Sequence, residues 1–320
     1  MPRAEHHHVV PRSYLERFAT VDGELAMFDK STGEWIETHA SNAAVRSDFY
    51  TVDLINEGAS DEVENALGDI EGRMITALRA IDQGEWPPNE EDRRAIADFV
   101  GLQSVRGTDF RDSIQDFYDR VGQKTGDLIA ATGAGLPKAF ADEHGRVPTE
   151  EELDELQEAM SHMEVRTEIP RNYHVTLMLQ MAGEQALIVY AKQLHVLQGS
   201  DGAHFITTDV PLALWSETLG PFGAISVMMA DEVCLPINRQ RCLLLNHPEG
   251  EDDRGEETIQ EVGATRVEEI NRRIVQQATR FIFCHPEDRA LVQAIIGDSL
   301  PVCMILMIAS LVGSEAIRHA

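Results

Sequence analysis

The chain has 320 residues, 43% hydrophobic and 26% charged, a balance that excludes a disordered chain and leaves material for one large domain or two ordinary ones. Its 55 acids against 27 bases give a net charge of −28, and Lys occurs only at Lys30, Lys124, Lys138 and Lys192. Such a surface repels nucleic acid at long range, so a phosphate-binding role needs a local Arg cluster working against the global field.

The chain opens MPRAEHHHVVPRSYLERFA. Pro11 suits a first helical position, and Tyr14, Leu15 and Phe18 share one face, predicting a short helix from about Pro11 to Ala19. GELAMFDKSTGEWIETHA reads as a hairpin, with Gly33 at the positive-φ position of its turn. The stretch capped by Ser60, DEVENALGDIEGRMITALRAI, has apolar residues every three or four positions and is helical until Trp86-Pro87-Pro88 breaks it. A second helix starts near Glu90, and further helical material reaches about Ala130. TEEELDELQEAMSHM is a capped acidic helix, and another helix covers about Arg171 to Ala191.

From Gln193 the apolar period changes to two. LHVLQG, HFITTD, ISVMM, EVCLPI and RCLLLNH read as strands, TIQEVGATRVEEINRRIVQQA as an amphipathic helix, and RFIFCH as a last strand before a helix after Pro286. This order predicts an α+β fold with a mostly helical middle and a largely antiparallel sheet, as a single large domain over residues 5–290. A C-terminal helical extension over residues 291–320 is expected to offer a self-association surface. Its uncharged run SLPVCMILMIASLVGS has 16 residues, short of the roughly 20 a spanning helix needs, so no membrane partner is expected.

Cys234, Cys242, Cys284 and Cys303 lack C-x-x-C spacing and read as buried reduced thiols. With no apolar signal core at the N-terminus, a cytoplasmic location is expected.

HHHVVPRSYLERF, MFDKSTGEW, SNAAVRSDFYT, VENALGDIEGRM, QSVRGTDFR, FITTDVPL, VCLPINRQRCLLL and EEINRRIVQQATRFIFCHPE, in this order, resemble the bacterial and fungal family catalogued as domain of unknown function 4238. The resemblance spans about residues 5–290 and implies one conserved fold without an assigned activity. Its pattern falls on His6, His7, Pro11, Tyr14, Leu15 and Phe18, then on Asn42, Asp48, Phe49, Tyr50, Glu64, Glu71, Gln103 and Arg106. Later it meets Asp209, Pro211, Leu235, Pro236 and Asn271. Where the family has a Pro, this chain has Thr108, so the helix is expected to continue past Arg106.

The candidate chemistry follows from residue types. The string His-His-x-Val-Pro-Arg-Ser is similar to that of HNH nucleases, but the expected last histidine is absent after Asn42. A looser reading places a His pair at a helix N-terminus, whose partial positive field attracts anions. His6, His7, Glu71 and Asp209 are then the catalytic candidates, and Arg12, Gln103, Arg106 and Asn271 the substrate-binding ones. A divalent metal is the candidate cofactor. That inventory suits hydrolysis of a phosphoester or nucleic-acid substrate.

The competing reading is a non-catalytic ligand-binding or regulatory module for a small anionic ligand, with the same groups forming a structural network. In it Arg106 forms a buried ion pair with Glu71 or Asp209. The Asp209 carboxylate bonds the backbone N–H two residues on, and Asn271 tethers its helix to a loop. Arg239, Arg241, Arg272 and Arg273 read as solvated faces.

Overall fold

A computed structural model of the chain describes residues 6–47, 52–54, 58–60, 62–200, 202–218, 226–248, 250 and 255–297. The C-terminal extension beyond Gly297, with Cys303, lies outside the described residues. The chain divides into two compact units, Met1–Gly107 with Val175–Ala320, and Thr108–His174.

In chain order the first unit begins with β1 (His6–His8), α1 (Arg12–Leu15) and a 3-10 turn over Glu16–Phe18. The strands β2 (Glu24–Asp29), β3 (Glu34–His39), β4 (Val45–Ser47), β5 (Val52–Leu54) and β6 (Gly58–Ser60) follow. Then come α2 (Glu62–Asp82) and α3 (Glu90–Gln103). The second unit holds α4 (Thr108–Thr132), α5 (Leu136–His144) and α6 (Glu150–Ser161), and α7 (Arg171–Ala191) leads back into the first. The rest is β7 (Gln193–Gly199), β8 (Thr207–Thr208), β9 (Ala213–Trp215), β10 (Glu232–Pro236), β11 (Arg241–Asn246), β12 (Ile259–Val262), α8 (Ala264–Gln277) and β13 (Phe281–Cys284). A 3-10 turn over Pro286–Asp288 and helical residues 289–297 close the described chain.

The architecture is α+β with mostly antiparallel sheets, as the order of elements predicts. One sheet runs β12-β7-β11-β10-β9, with only the β12–β7 pair parallel, and another runs β3-β2-β13-β8. The larger sheet is buried on both faces, and its period of two sorts the residues. Val196, Leu243, Leu245, Val233 and Leu235 face a core shared with α1, α2 and α3. Their neighbours Leu197, Cys242, Leu244 and Cys234 face α8 through Val267, Ile270 and Ile274. Cys234, Cys242 and Cys284 are buried free thiols, and burial pushes Cys284 up to about 12. Among the described residues, no helix is long and apolar enough to cross a membrane.

The hairpin forms as read: β2 and β3 pair antiparallel around a turn that ends on Gly33 at φ 74°. Asn89 caps α3 by accepting from the backbone N–H groups of Glu91 and Asp92. Thr149 and Glu152 form a reciprocal capping box on α6.

Two stretches depart from the sequence expectation. Of the strand expected over ISVMM, Ile225 lies outside the described residues and residues 227–229 form a turn, where the N–H of Met229 and that of Ala230 bond back to the Ser226 carbonyl and leave Met228 and Met229 exposed. The helix expected from Thr258 begins only at Ala264. Gly263 ends β12, and the N–H groups of Arg266 and Val267 bond back to its carbonyl. Ile259 to Val262 pair instead with Val196 to Gly199 of β7.

Candidate functional site

The apolar spacing of α2 and α3 places their polar residues. In α2 the buried residues Leu67, Met74, Ala77, Leu78 and Ile81 form one stripe. Glu71 lies on it, four residues after Leu67 and three before Met74. In α3 the buried stripe of Ile96, Phe99 and Val100 ends on Gln103, the last helical residue. A seven-residue connection folds α3 back along α2, so the end of α3 meets the first half of α2.

Arg106 sits in the turn beyond α3, only 2% exposed, and donates from Nη1 to Oε1 of Glu71 at 2.6 Å. Gln103 is 4% exposed, and its Nε2 is buried with no hydrogen-bond partner among the described residues. A buried amide donor left in that state costs about 1–3 kcal/mol. The helix does not continue past Arg106 despite the absence of a Pro. The Ser104 hydroxyl donates to the Gly101 carbonyl at 2.7 Å as α3 ends, and α4 starts afresh at Thr108.

The other candidates are engaged elsewhere. Asp209 follows β8 and accepts from the N–H groups of Thr279 (3.0 Å), Arg280 (2.8 Å) and Phe281 (3.1 Å). Lys30 Nζ donates to the carbonyls of Val275 (3.1 Å) and Ala278 (2.6 Å), so the turn from α8 to β13 is held by a carboxylate and an ammonium. Burial raises the Asp209 carboxyl above its usual range, even against those three N–H groups. Its bonds reach 70 to 72 residues along the chain; the residue two on is Pro211, which has no N–H, and the N–H of Val210 bonds to Thr208 Oγ1.

Asn271 is fully buried, accepting from the Ile206 N–H at 3.1 Å and donating to the His204 carbonyl at 2.8 Å. It tethers α8 to the strand approach. Arg12 is exposed and pairs with Glu16 one turn on. His6 and His7 stand on β1, opposite Ser47 and Arg46 of β4, so they do not begin a helix. Their side chains, that of Glu64, and residues Asp48, Phe49 and Tyr50 lie outside the described residues. Of the eight candidates the fold thus brings Glu71 and Arg106 into contact, with Gln103 three residues before that arginine. Among the described residues, no three His, Cys, Asp or Glu side chains are grouped to hold a metal ion.

Three networks escaped the sequence reading. Tyr14, read only as part of an apolar face, is wholly buried; its hydroxyl donates to the Pro236 carbonyl at 2.5 Å and meets Thr207 Oγ1 at 3.0 Å. Its pairing with Pro236 within the shared motifs was the available signal. Arg239 binds both carboxylate oxygens of Asp288, which also meets His204 Nδ1 at 2.9 Å. Arg241 donates to the Ile81 carbonyl, and Arg273 pairs with Glu232 and stacks over Trp215. These arginines are largely buried and paired rather than solvated, because acids distant in sequence fold onto them. Finally Arg93 and Glu257 form a buried ion pair beside Lys192, whose Nζ donates to the Ala230 carbonyl. Burial lowers Lys192 to about 8.

A family model described as "Protein of unknown function (DUF4238)" matches residues 6–288. No curated protein and no solved structure matches the chain.

Proposed function

Because the chain belongs to the family described as protein of unknown function (DUF4238), its chemistry rests on its own residues, and we propose that it binds a small anionic ligand at the polar end of the α2–α3 hairpin. The observation that carries this reading is the buried, partnerless Nε2 of Gln103, three residues before a guanidinium that is itself almost wholly buried. A carboxylate or phosphate oxygen would satisfy the Gln103 donor and add charge-assisted bonds near Arg106. Glu71 then acts as the positioning residue that holds the guanidinium.

Hydrolysis of a phosphoester or nucleic acid is the second reading, with His6, His7 and Glu71 as its acid–base groups and a divalent metal as cofactor. It is favoured by the family match that includes His6 and His7. It is weakened because the Asp209 carboxylate is already bonded by three N–H groups.

One experiment separates them. Thermal denaturation is followed with sodium phosphate, a nucleoside monophosphate or succinate, and bis(p-nitrophenyl) phosphate turnover is assayed with magnesium or manganese. Binding predicts a concentration-dependent rise in Tm that Gln103→Leu abolishes. No shift with any of these anions overturns it, and metal-dependent turnover lost in His7→Ala replaces it with the hydrolase.

A further inference from the structure

The register of the larger sheet carries four chemistry-bearing residues into one row. Leu194, Leu245, Val233 and Leu214 stand side by side on β7, β11, β10 and β9, and Gln193, Asn246, Glu232 and Trp215 form the next row. One residue further, at this end of the sheet, come Lys192, His247, Asp231 and Ser216. The period of two returns this row to the face of the leucines, the one turned away from α8.

The interactions agree with the register. Asp231 accepts from the Glu217 N–H at 2.8 Å and from the Ser216 hydroxyl, and both hold its carboxyl below its usual range. Its charge acts on His247 and on Lys192. Lys192 is only 2% exposed, and among the described residues its Nζ makes one hydrogen bond, to the Ala230 carbonyl at 3.0 Å. An ammonium has three protons to place. Burial favours the free amine and holds the group at about 8, so much more of it is deprotonated near neutral pH than of a solvated lysine. A desolvated amine of this kind is a nucleophile for a carbonyl carbon. Asp231 is partly exposed and His247 exposed, so the row opens to solvent between its buried ends, Lys192 and Ser216.

We propose that this row is a second site, at which Lys192 condenses with a small neutral aldehyde. The Nζ lone pair attacks the carbonyl carbon, and the resulting carbinolamine loses water as the nitrogen pair closes the C=N bond. His247 takes the proton that frees the amine and returns it to the departing hydroxyl. One ammonium and one aldehyde thus give one iminium and one water, so Asp231 faces the same charge before and after. The burial of Lys192 restricts the partner to a small molecule, and Asp231 disfavours an anionic one. The inference is independent of the anion site at Gln103 and Arg106.

The chain has only four lysines, so the reaction can be read at each of them. The full-length protein is treated with propanal and sodium cyanoborohydride at pH 7, and alkylation of each lysine is followed by peptide mass spectrometry. Lys192 should react at least tenfold faster than the exposed Lys124 and Lys138. With glyoxylate, an anionic aldehyde, that advantage should disappear. His247→Gln changes an exposed residue and should slow Lys192 at least fivefold while leaving Lys124 and Lys138 unchanged; a lysine that is merely buried would not respond. Labelling of Lys192 no faster than that of the exposed lysines overturns the proposal. So does an advantage kept with glyoxylate, or a rate at Lys192 that His247→Gln does not alter.

Discussion

Arg106 reaches from the turn after α3 to Glu71 in the first half of α2 and bonds its carboxylate at 2.6 Å, with the guanidinium 2% and the carboxylate 21% exposed. The charge is therefore buried more deeply than its partner, and the pair works as a fastener at one end of a two-helix layer. Removing one member of a buried pair costs about 3–5 kcal/mol. The partial exposure of Glu71 reduces this, so Glu71→Ala should destabilise by about 2–3 kcal/mol. Glu71→Gln keeps an acceptor and should lose less. Urea midpoints of the three proteins check the order, and equal losses for Gln and Ala would count against a charge-based role.

Gln103 should behave in the opposite way. Its buried Nε2 has no hydrogen-bond partner among the described residues, so Gln103→Leu should leave unliganded stability unchanged or raise it by up to about 1 kcal/mol. The same variant should lose anion-induced stabilisation. A loss of more than about 2 kcal/mol in the absence of ligand would mean that the amide has a structural task instead.

Asp209 is predicted to be structural. Asp209→Ala frees three N–H groups at the α8–β13 turn, two of them on exposed residues, and should cost about 2–3 kcal/mol. Amide hydrogen exchange of Thr279, Arg280 and Phe281 should accelerate together. Unchanged exchange in a stable variant would return Asp209 to the list of catalytic candidates.

Lys192 gives a pH signature. Burial holds it at about 8 in the folded chain against 10.5 when free, so between those values the unfolded chain binds more protons. Its contribution to stability then rises with pH across that window. Below pH 8 the ammonium is charged in both states and the full burial cost remains. Lys192→Met should therefore gain most over the wild type at pH 7, and the gap should narrow by pH 9.5. Denaturation of both proteins at the two pH values isolates this group from the cysteines and tyrosines, and a constant gap would show that Lys192 is not suppressed by burial.

Much of the fold is legible locally. The Gly33 turn, the Thr149–Glu152 box and the break between α2 and α3 follow from backbone geometry and caps that need only near neighbours. ISVMM and the start of α8 depart from the local expectation because their apolar content resembles that of a strand and a helix. What decided them was the Ser226 turn and the lateral pairing of Ile259 to Val262 with β7, neither of which is written in a window of ten residues. The site was half legible for the same reason. Gln103 and Arg106 follow the end of an apolar stripe and can be picked out from spacing, but spacing does not show that Asp209, a catalytic candidate, and Asn271, a substrate-binding one, are held by partners 65 to 72 residues away.

By itself the sequence determined the α+β class, the helical stripes, the buried thiols and the acidic field, because periodicity and composition act through burial one element at a time. Only the tertiary structure decided which polar groups are satisfied. Glu71 meets Arg106, Asp209 is taken by a distant turn, and Gln103 is left with a buried donor. A hydrogen bond needs a partner within about 3 Å and in line, and that condition is fixed by where remote segments pack, not by the letters on either side.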